Sequence, residues 1–406
     1  MKLNLDMPTK IINSLGNDII SSYKTSYSKK RFLLTLKDII EEDVNENETK
    51  AELYEYSSRF FNSKKIVNDK NLFVIGLDSS SRAIITPIAD IIISAVSISG
   101  QGPVELSDWP YLYRDLAYIP INPEPFIYVA SDDLNVSDYS NEYIKQFRSL
   151  DNEDDLSKIM DYSRLSLESW GIKEPSFALG NYFKRKGKKF VLLLDGPIYL
   201  LDNKNDYIKS NLMKNRSNEI EILENQGIPV IGVVKRIERS KILTNVQDFS
   251  NILSQCIGNY ETLNDSLIIQ KMLYSNCYNN YYGKILTTPK IKVRSNGLDK
   301  IVEYVLIPPS RYQSINKGRI FRLEYTEKTL DILNNNYSLE PVQILINDSI
   351  FKQSNESITI AYSDKRGKMI TQILKDLFIN TIVGRGAPIS YDTLREAEAT
   401  WIKRKT

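Results

Sequence analysis

The sequence predicts an α/β fold with a mixed sheet flanked by helices, and three features support this prediction. Residues 72–77 and 190–194 are apolar runs with the length of buried strands, and each run ends on an aspartate. An amphipathic segment at about residues 207–226 has helical spacing and is closed by Gly227. The apolar run "IPVIGVV" follows directly, so helix and strand alternate as they do in α/β proteins.

The other segments can be assigned in chain order. Residues 1–65 are predicted to form an N-terminal helical region, because apolar residues recur at helical spacing around an acidic break. Residues 66–406 are assigned to the main domain. Within that domain we expect an α/β core at about 70–245, a β-rich insertion at about 246–360 and C-terminal helices at 361–406.

Parts of the core have a less regular pattern. Residues 84–98 are the longest apolar stretch, but Pro87 and Asp90 interrupt it. A bilayer span needs about 20 apolar residues, so we expect a buried strand there instead. Residues 131–155 are acidic and polar and are predicted to be a solvated connection. Two helices are expected before the second aspartate-ending strand, the later one beginning near Pro175.

The composition excludes several kinds of active site. The chain has 406 residues, is 42% hydrophobic and 26% charged, and carries a net charge of +2, so its overall charge does not indicate a nucleic-acid partner. It contains no histidine, which excludes a Ser-His-Asp triad, a histidine general base and a histidine-ligated zinc ion. The patterns GxxxxGKS/T, GxGxxG and GxSxG are absent, so a nucleotide-hydrolysing motor is not expected.

The cysteine content and the N-terminal segment favour a reducing environment. Cys256 and Cys277 lack CxxC spacing and suggest neither a zinc site nor a disulfide framework. The first 20 residues have no long apolar core and no small-residue cleavage site, so a secretory signal is not expected. We therefore expect a cytoplasmic protein that does not enter the membrane.

The two aspartates at strand ends are the first candidates for chemistry. Asp78 and Asp195 each follow a predicted buried strand, and neighbouring strands of one sheet would bring their carboxylates together. Hydrolysis of a phosphodiester without histidine can use two divalent ions, one to activate water and one to stabilise the leaving oxygen. Carboxylate oxygens suit Mg²⁺ or Mn²⁺. The alternative is that each aspartate only caps a turn.

A metal site of this type needs a third acidic side chain. Glu174, at the start of the helix before the second strand, is the preferred candidate, and Glu168 is the alternative. A first-turn glutamate also stabilises a helix through the helix dipole, so capping is the other interpretation for Glu174. For Glu168 the other interpretation is an exposed helix position.

Basic residues near the same strand ends could bind a phosphate. Lys235, Arg236 and Arg239 follow the run "IPVIGVV", and we expect them at the sheet edge that carries the aspartates. A basic surface segment without a ligand is the alternative. Arg319 and Arg322 are three residues apart on a predicted strand and therefore lie on opposite faces, so at most one of them, assigned as Arg322, faces a nucleic acid.

Five segments, taken in order, resemble motifs of the NurA nuclease family over roughly residues 70–400. They read "FVIGLDSSSR", "FVLLLDGPIYL", "GIPVIGVVKRIERSKIL", "RIFRLEY" and "GAPISYDTLREAEATW". Each motif alone is moderately specific, whereas the ordered set is much more specific. The resemblance implies an RNase H-like core and Mn²⁺- or Mg²⁺-dependent DNA cleavage with two ions. The implied activities are those of a 5′-to-3′ exonuclease and a single-strand endonuclease.

The resemblance also implies partners and roles. Family members form a homodimer that docks on a hexameric HerA-type helicase and acts in DNA-end resection during recombinational repair in archaea. By motif, Asp78, Glu174 and Asp195 correspond to metal ligands, and Lys235 to a basic catalytic residue. Glu398 stands where members often carry histidine or aspartate, and it could bind a metal but could not relay a proton as histidine does.

Other departures keep alternatives open. Tyr391 is close to the family's tyrosine position but out of register, and the spacing between Glu174 and Asp195 is longer than expected for the family. One alternative is a NurA-like DNA-binding or scaffold subunit with a weakened site. Another is an RNase H-like regulatory domain that binds nucleic acid through its basic residues alone.

Overall fold

The fold is a large mixed sheet flanked by helices, which confirms the predicted α/β class. A computed structural model describes residues 6–25, 50–55, 57, 59–65, 67–100, 107–110, 122–131, 134, 142–147, 153–199, 207–275, 284–295, 298–307, 319–349, 356–386 and 389. Strands and helices are numbered below in chain order.

Most strands of the described residues are short, whereas three have 14, 11 and 10 residues. The strands are β1 (Lys50–Leu53), β2 (Asn62–Lys64), β3 (Leu72–Ile85), β4 (Asp90–Gly100), β5 (Ser107–Trp109), β6 (Ile127–Ala130), β7 (Ile144–Phe147), β8 (Lys189–Asp195), β9 (Val230–Val234), β10 (Ile285–Thr287), β11 (Ile291–Ser295), β12 (Leu298–Ile307) and β13 (Arg319–Tyr325).

The helices precede, separate and follow these strands. They are α1 (Asp6–Thr25), α2 (Glu153–Gly171), α3 (Phe177–Arg185), α4 (Tyr207–Asn225), α5 (Ile242–Asn245), α6 (Ser250–Ile257), α7 (Asp265–Tyr274), α8 (Glu327–Ile332), α9 (Pro341–Asp348) and α10 (Ile358–Val383).

The sheet is parallel in its centre and mostly antiparallel towards its ends. Its order is β1-β11-β12-β13-β9-β8-β3-β4-β6-β7, with β10 pairing β12 and β2, and with β5 pairing β4. β3, β8 and β9 run parallel to one another. The middle of β8 is buried on both faces, which explains why residues 190–194 are continuously apolar. β8 and β9 end at Asp195 and Val234, at the level of Asp78, whereas β3 continues past Asp78 to Ile85, so the prediction that Asp78 lies at the end of its strand is wrong.

Two helices cover opposite faces of β3. On one face, the Ser79 hydroxyl reaches Glu168 of α2 at 2.6 Å. On the other face, the Ser80 hydroxyl lies 3.3 Å from the Thr371 hydroxyl of α10. Because successive residues of a strand point to opposite faces, even-numbered residues of β3 face α10 and odd-numbered ones face α2. This alternation decides which helix each functional side chain meets.

The structure differs from the sequence predictions in several places. Residues 50–53 form β1 and not helix, because they pair with β11. Residues 144–147, expected to be a solvated connection, form β7, which pairs with β6 and buries Ile144. Residues 84–98 are shared between β3 and β4, which meet at a turn after Ile85.

Smaller differences concern one helix start and one cysteine. Pro175 lies in a π-helical turn, Ile172–Ser176, which joins α2 to α3, so α3 begins two residues later than expected. Cys256 is engaged in a disulfide, whereas its sequence spacing had suggested none. Among the described helices, none is both long and apolar enough to cross a bilayer. The domain boundaries at residues 65, 245 and 360 remain predictions.

Candidate active site

Strand register places the two predicted aspartates side by side. In the parallel pair of β3 and β8, Leu77 lies opposite Leu194, so Asp78 and Asp195 occupy the next matched positions. Both side chains therefore project to the face of the sheet that α10 covers. β8 ends at Asp195, while β3 continues to Ile85 against β4. The carboxylates therefore lie at the level where β8 ends and the sheet loses a strand, so that side chains of the flanking helices can reach them.

Two further carboxylates approach from the flanking helices. Glu168 comes from α2 and Asp364 from the first turns of α10, and both raise the pKa of Asp78 and of Asp195 by electrostatic repulsion. The hydroxyl of Ser363 donates to the backbone oxygen of Gly76 at 2.7 Å, which fixes α10 against β3 next to Asp364. We refer to Asp78, Asp195, Glu168 and Asp364 as the carboxylate cluster.

Burial and repulsion act together on Asp78. Its side chain is only 5% exposed, and burial is the main reason that its pKa is raised well above the ordinary value. Asp195, Glu168 and Asp364 raise this pKa further, while Arg164 of α2 opposes them. A carboxylate with this environment is costly to ionise unless a cation is supplied. Within the cluster, Asp78 is therefore the carboxylate whose ionised form a nearby cation would stabilise most.

Asp195 has such a partner in Lys235. The Lys235 ammonium lies 2.9 Å from Oδ2 of Asp195. Burial raises the pKa of Asp195 and outweighs the opposing effect of Lys235, while Asp364 and Glu168 raise it further. Asp195 pairs with Val233 of β9, so Lys235, two residues on, shares its face of the sheet. The sequence prediction that Lys235 lies at the aspartate edge is confirmed by this geometry.

Glu168 is held by two partners inside the protein. Oε1 accepts a hydrogen bond from Ser79 at 2.6 Å, and Oε2 forms an ion pair with Arg216 of α4 at 2.8 Å. Arg216 is 2% exposed. A buried arginine in this position fixes the carboxylate group, so the orientation of Glu168 is set by α4 as well as by α2.

Glu168, but not Glu174, contributes to the raised pKa values of both aspartates, although its hydrogen bond with Ser79 places it on the α2 face of β3, opposite the face to which Asp78 projects. Glu174 lies in the π-helical turn, where its Oε1 accepts a hydrogen bond from Asn122 at 3.0 Å and its charge raises the pKa of Glu219. Six positions along a helix correspond to about 9 Å and about 240° of rotation, so the two glutamates cannot serve the same point equally well. The sequence predicts both Glu168 and Glu174 close to β8, but it does not determine which face of the helix is turned towards the sheet.

The predicted basic residues separate into two groups. Arg236 and Arg239 lie on the loop after β9 with exposed side chains, close in sequence to Lys235. Arg322 is buried, with Nη1 donating to Ser240 at 2.7 Å and Nε 3.0 Å from Oε1 of Glu324. The prediction that Arg322 is the arginine of β13 that faces a nucleic acid is wrong, because its side chain is buried, whereas that of Arg319 is exposed.

Asp364 and Arg216 were missed by sequence reasoning. Asp364 stands in "AYSDKRG" and Arg216 in "KNRSNE", segments without a recognisable motif. Their importance follows only from how α10 and α4 pack on the sheet. Glu398 and Tyr391 lie outside the described residues.

The cluster has the donor chemistry of a site for a hard divalent cation. Its polar atoms are carboxylate oxygens, which Mg²⁺ and Mn²⁺ prefer, and a cation would offset the burial and the repulsion that raise both aspartate pKa values. Within the described ranges, no three acidic, histidine or cysteine side chains are already positioned around a common metal point. As arranged, the charge that balances Asp195 is the Lys235 ammonium.

Solved structures with similarity to this chain include three of NurA proteins. The crystal structure of the NurA nuclease from Sulfolobus solfataricus is 10% identical, covers 80% of this chain and 86% of that chain, and has a TM-score of 0.44. A crystal structure of NurA bound to dAMP and manganese is 10% identical over 74% of this chain and 86% of that one, with a TM-score of 0.32. A crystal structure of NurA with manganese is 11% identical over 78% and 90%, with a TM-score of 0.28.

The family assignment rests on the family model, because these structural similarities are too low to carry an argument. Comparison with curated proteins gives no match. The model of the NurA domain matches residues 73–356, well over half of the 406-residue chain. The matched range includes β3, β8 and β9 and with them Asp78, Asp195 and Lys235. The chain therefore belongs to the NurA family of nucleases.

Proposed function

We propose that this protein is a divalent-metal-dependent DNA nuclease whose active site is the carboxylate cluster. The observation that carries the proposal is the matched placement of Asp78 and Asp195 on adjacent parallel strands, where burial and neighbouring carboxylates raise both pKa values. An arrangement of this kind is costly for the fold alone and is typical of a site that binds a cation. Membership in the NurA family supports DNA as the substrate.

The residues proposed to hold the metal are Asp78 and Asp195, with Glu168 and Asp364 completing the set. Two related crystal structures are described with manganese, which supports Mn²⁺, with Mg²⁺ as the alternative, and two ions as in the family. The ions would activate water and neutralise charge on the phosphate. Glu174 and Glu398, which the sequence suggested, remain candidates for a role at the edge of the site.

The basic side chains have a separate role in this proposal. Lys235, 2.9 Å from Asp195, is positioned to contact a phosphate oxygen of DNA bound at the cluster. The exposed side chains of Arg236 and Arg239 extend positive charge along the same loop and would contact the DNA backbone without reading its sequence. Arg322 is directed into the protein, so we assign it to the support of this loop.

The finer activities follow the family. We propose 5′-to-3′ exonuclease and single-strand endonuclease activity, and action as a homodimer together with a hexameric HerA-type helicase in DNA-end resection. A cytoplasmic location is part of this proposal.

A second candidate is a NurA-like subunit that binds DNA or serves as a scaffold with a weakened catalytic site. One observation favours it: in the described part of the chain no three metal-binding side chains surround a common point. In addition, Lys235 is engaged with Asp195, and both oxygens of Glu168 have protein partners. Metal binding would then require these contacts to change.

A cleavage assay separates the two candidates. Single- and double-stranded DNA labelled at the 5′ or the 3′ end is incubated with the protein and Mn²⁺, Mg²⁺ or EDTA, and binding is measured in parallel. We expect metal-dependent cleavage that Asp195→Asn reduces by about 1000-fold, since a metal contributes several kcal/mol of transition-state stabilisation. Asp299→Asn changes an exposed aspartate of β12 and serves as the matched control.

Further variants identify the third ligand. Glu168→Gln should reduce cleavage much more than Glu174→Gln, because of these two glutamates only Glu168 contributes to the raised pKa values of both aspartates. DNA binding without cleavage under every metal condition would reject the nuclease proposal in favour of the second candidate.

A further inference from the structure

Each residue of the Lys235–Asp195 ion pair adjoins a loop. The β8 loop, residues 196–199, directly follows Asp195. The β9 loop, residues 235–241, begins with Lys235 and leads to α5. Pairing with Val233 of β9 fixes the backbone of Asp195, whereas Lys235 lies one residue beyond the end of β9. The 2.9 Å distance between the ammonium and the carboxylate therefore also depends on how the adjoining loops are fixed.

The β8 loop folds back over β9 at very short range. Gly196 has a φ of 106°, a conformation that favours glycine, and this residue turns the chain after the aspartate. A Cβ atom at Gly232 of β9 would lie 2.7 Å from the oxygen of Gly196 and 2.8 Å from the nitrogen of Ile198. The backbone of the β8 loop therefore packs directly on the backbone of β9, and the two glycines have no side chains that could fix the loop.

A buried group of three charges lies behind both loops. Glu324 of β13 is 0% exposed and lies between Lys300 of β12, 2.8 Å from its Oε2, and Arg322, 3.0 Å from its Oε1. Burial by itself would raise the pKa of Glu324, but the two cations hold it below its usual value. Glu324 is therefore ionised. We refer to Lys300, Glu324 and Arg322 as the buried triad.

Each member of the buried triad contacts one of the loops. Oε2 of Glu324 accepts a hydrogen bond from the backbone N–H of Ile198 at 3.2 Å, and the Lys300 ammonium donates to the backbone oxygen of Tyr199 at 3.3 Å. Arg322 donates from Nη1 to the hydroxyl of Ser240 at 2.7 Å. The triad therefore connects the β8 loop with the β9 loop through one carboxylate.

The far end of the β9 loop is also fixed by a buried carboxylate. Asp265, at the start of α7, accepts hydrogen bonds from the Ser240 hydroxyl and from the backbone N–H groups of Ile242 and Leu243, the latter two at 3.0 and 2.9 Å. The N–H of Asp265 donates to the oxygen of Ser240 at 2.8 Å. Ser240 thus joins the triad to α7, and residues 235–240 are held at their C-terminal end.

We infer that Glu324 is a positioning residue, which keeps Lys235 and Asp195 in register by binding the two cations that hold their loops. This inference rests on the proposed function, because the register matters for metal and phosphate binding at the carboxylate cluster. A buried ionic triad gives little net stability compared with apolar residues of similar volume. Its contribution here is a fixed geometry for both loops, in addition to the backbone contacts of the β8 loop and the contacts of Asp265 with the β9 loop.

The test compares variants of the triad with a matched buried carboxylate. Glu324→Gln removes the charge, and Ser240→Ala removes the contact of Arg322 with the β9 loop together with the hydrogen bond from Ser240 to Asp265. Glu303→Gln is the control, because Glu303 is a fully buried glutamate of the neighbouring strand β12 that contacts Tyr325. The first measurement is amide hydrogen exchange of residues 196–199 and 235–243 in the metal-free protein, and the second is DNA cleavage as a function of Mn²⁺ concentration.

We expect both triad variants to exchange these amides at least about 10-fold faster and to need about 10-fold more Mn²⁺ for half-maximal cleavage, as for residues that orient metal ligands. KM for DNA should change little, and Glu303→Gln should leave both measurements as in the wild type. Glu324→Asp, which keeps the charge, should recover part of the loss.

The outcomes separate this inference from the proposed function. If Glu324→Gln and Ser240→Ala accelerate exchange in the two loops no more than Glu303→Gln does, the positioning role is wrong. If the wild type cleaves no DNA, the exchange measurement still decides the positioning role while the nuclease proposal fails. If Glu324→Gln does not fold, Ser240→Ala decides, because it leaves all charges of the triad in place.

Discussion

The carboxylate cluster and the buried triad are both buried, yet their charges are balanced in opposite ways. In the cluster, burial and like charges raise the pKa of Asp78 well above its ordinary value. In the triad, Lys300 and Arg322 hold the pKa of Glu324 below its ordinary value although it is 0% exposed. Burial alone therefore does not decide the protonation of a carboxylate; the charges that the fold places beside it do.

The opposite directions of these two pKa shifts indicate that the triad is structural and that the cluster could bind a ligand. The triad is complete, since one carboxylate lies between two cations from neighbouring strands. In the cluster, three carboxylates each have an ion-pair partner: Lys235 for Asp195, Arg216 for Glu168 and Lys368 for Asp364. Asp78 differs, because burial and the neighbouring carboxylates raise its pKa well above the ordinary value in spite of the opposing charge of Arg164. A buried carboxylate with a pKa raised in this way is typical of functional sites.

The largest expected effect comes from removing the central charge of the triad. Glu324→Leu leaves Lys300 and Arg322 buried without their counter-charge, which should lower the free energy of unfolding by about 3–5 kcal/mol. Urea or guanidinium unfolding measures this loss. Glu303→Leu is the control and should cost less, about 1–3 kcal/mol, because it leaves a tyrosine hydroxyl without its acceptor and no buried cation. Equal losses would contradict the contrast between compensated and uncompensated carboxylates.

The next effect is the response of the cluster to a divalent ion. Mn²⁺ at 100 times its dissociation constant should raise the free energy of unfolding of the wild type by about 2.7 kcal/mol. Asp195→Asn should abolish most of this gain, because it removes one of the two strand-end ligands. Thermal unfolding with and without Mn²⁺ measures the change. The same gain in wild type and variant would mean that the ion binds elsewhere.

A smaller effect of opposite sign is expected from Asp78→Asn. Without metal at pH 7, this change removes a buried charge that its neighbours repel, and it should raise the free energy of unfolding by about 1 kcal/mol, at the expense of cleavage. Denaturant unfolding and the cleavage assay test the two parts. A loss of stability at pH 7 would show that the carboxylate of Asp78 already has sufficient compensation inside the protein.

The pH dependence of this change distinguishes the two groups further. Because the pKa of Asp78 is raised in the folded protein, its contribution to stability is present below the usual value of about 4 and is lost as the pH rises through the raised pKa. The pKa of Glu324 is lowered, so its contribution is present above its usual value and is lost as the pH falls through the lowered pKa. The advantage of Asp78→Asn should therefore disappear towards pH 4, whereas the penalty of Glu324→Gln should persist until more acidic pH.

How much the sequence could predict is seen by comparing residues of the cluster. Asp78 and Asp195 were found because each directly follows an apolar run; only Asp195 ends its strand, but the parallel pairing of β3 with β8 places both at matched positions. Glu168 was named only as an alternative, because the helical face that turns inward depends on the π-helical turn after α2. Asp364 was not predicted at all, since its place follows from how α10 crosses β3.

The same limit explains the misjudged segments of the fold. The sequence around residues 50–53 has the periodicity of a helix. These residues nevertheless form a strand, because they pair with residues 291–294, and the local sequence carries no information on that pairing. Residues 144–147 read as solvated because the surrounding segment is acidic, but pairing with β6 overrides the composition. Local periodicity therefore predicts buried central strands well, and edge strands poorly.

The smallest expected effect concerns Arg319, which shares β13 with Arg322 but faces solvent. Its guanidinium pairs with Glu356 at 2.9 Å, and the two side chains are 49% and 35% exposed. An exposed pair of this kind contributes about 0.2–1 kcal/mol, so Arg319→Ala should change the free energy of unfolding by no more than that, whereas Arg322→Ala disrupts the triad and should cost several times as much. Denaturant unfolding of both variants measures the difference. Comparable losses would mean that the strand itself, and not the compensation of Glu324, accounts for the stability of this region, and the contrast between the two charge groups would then have to be abandoned.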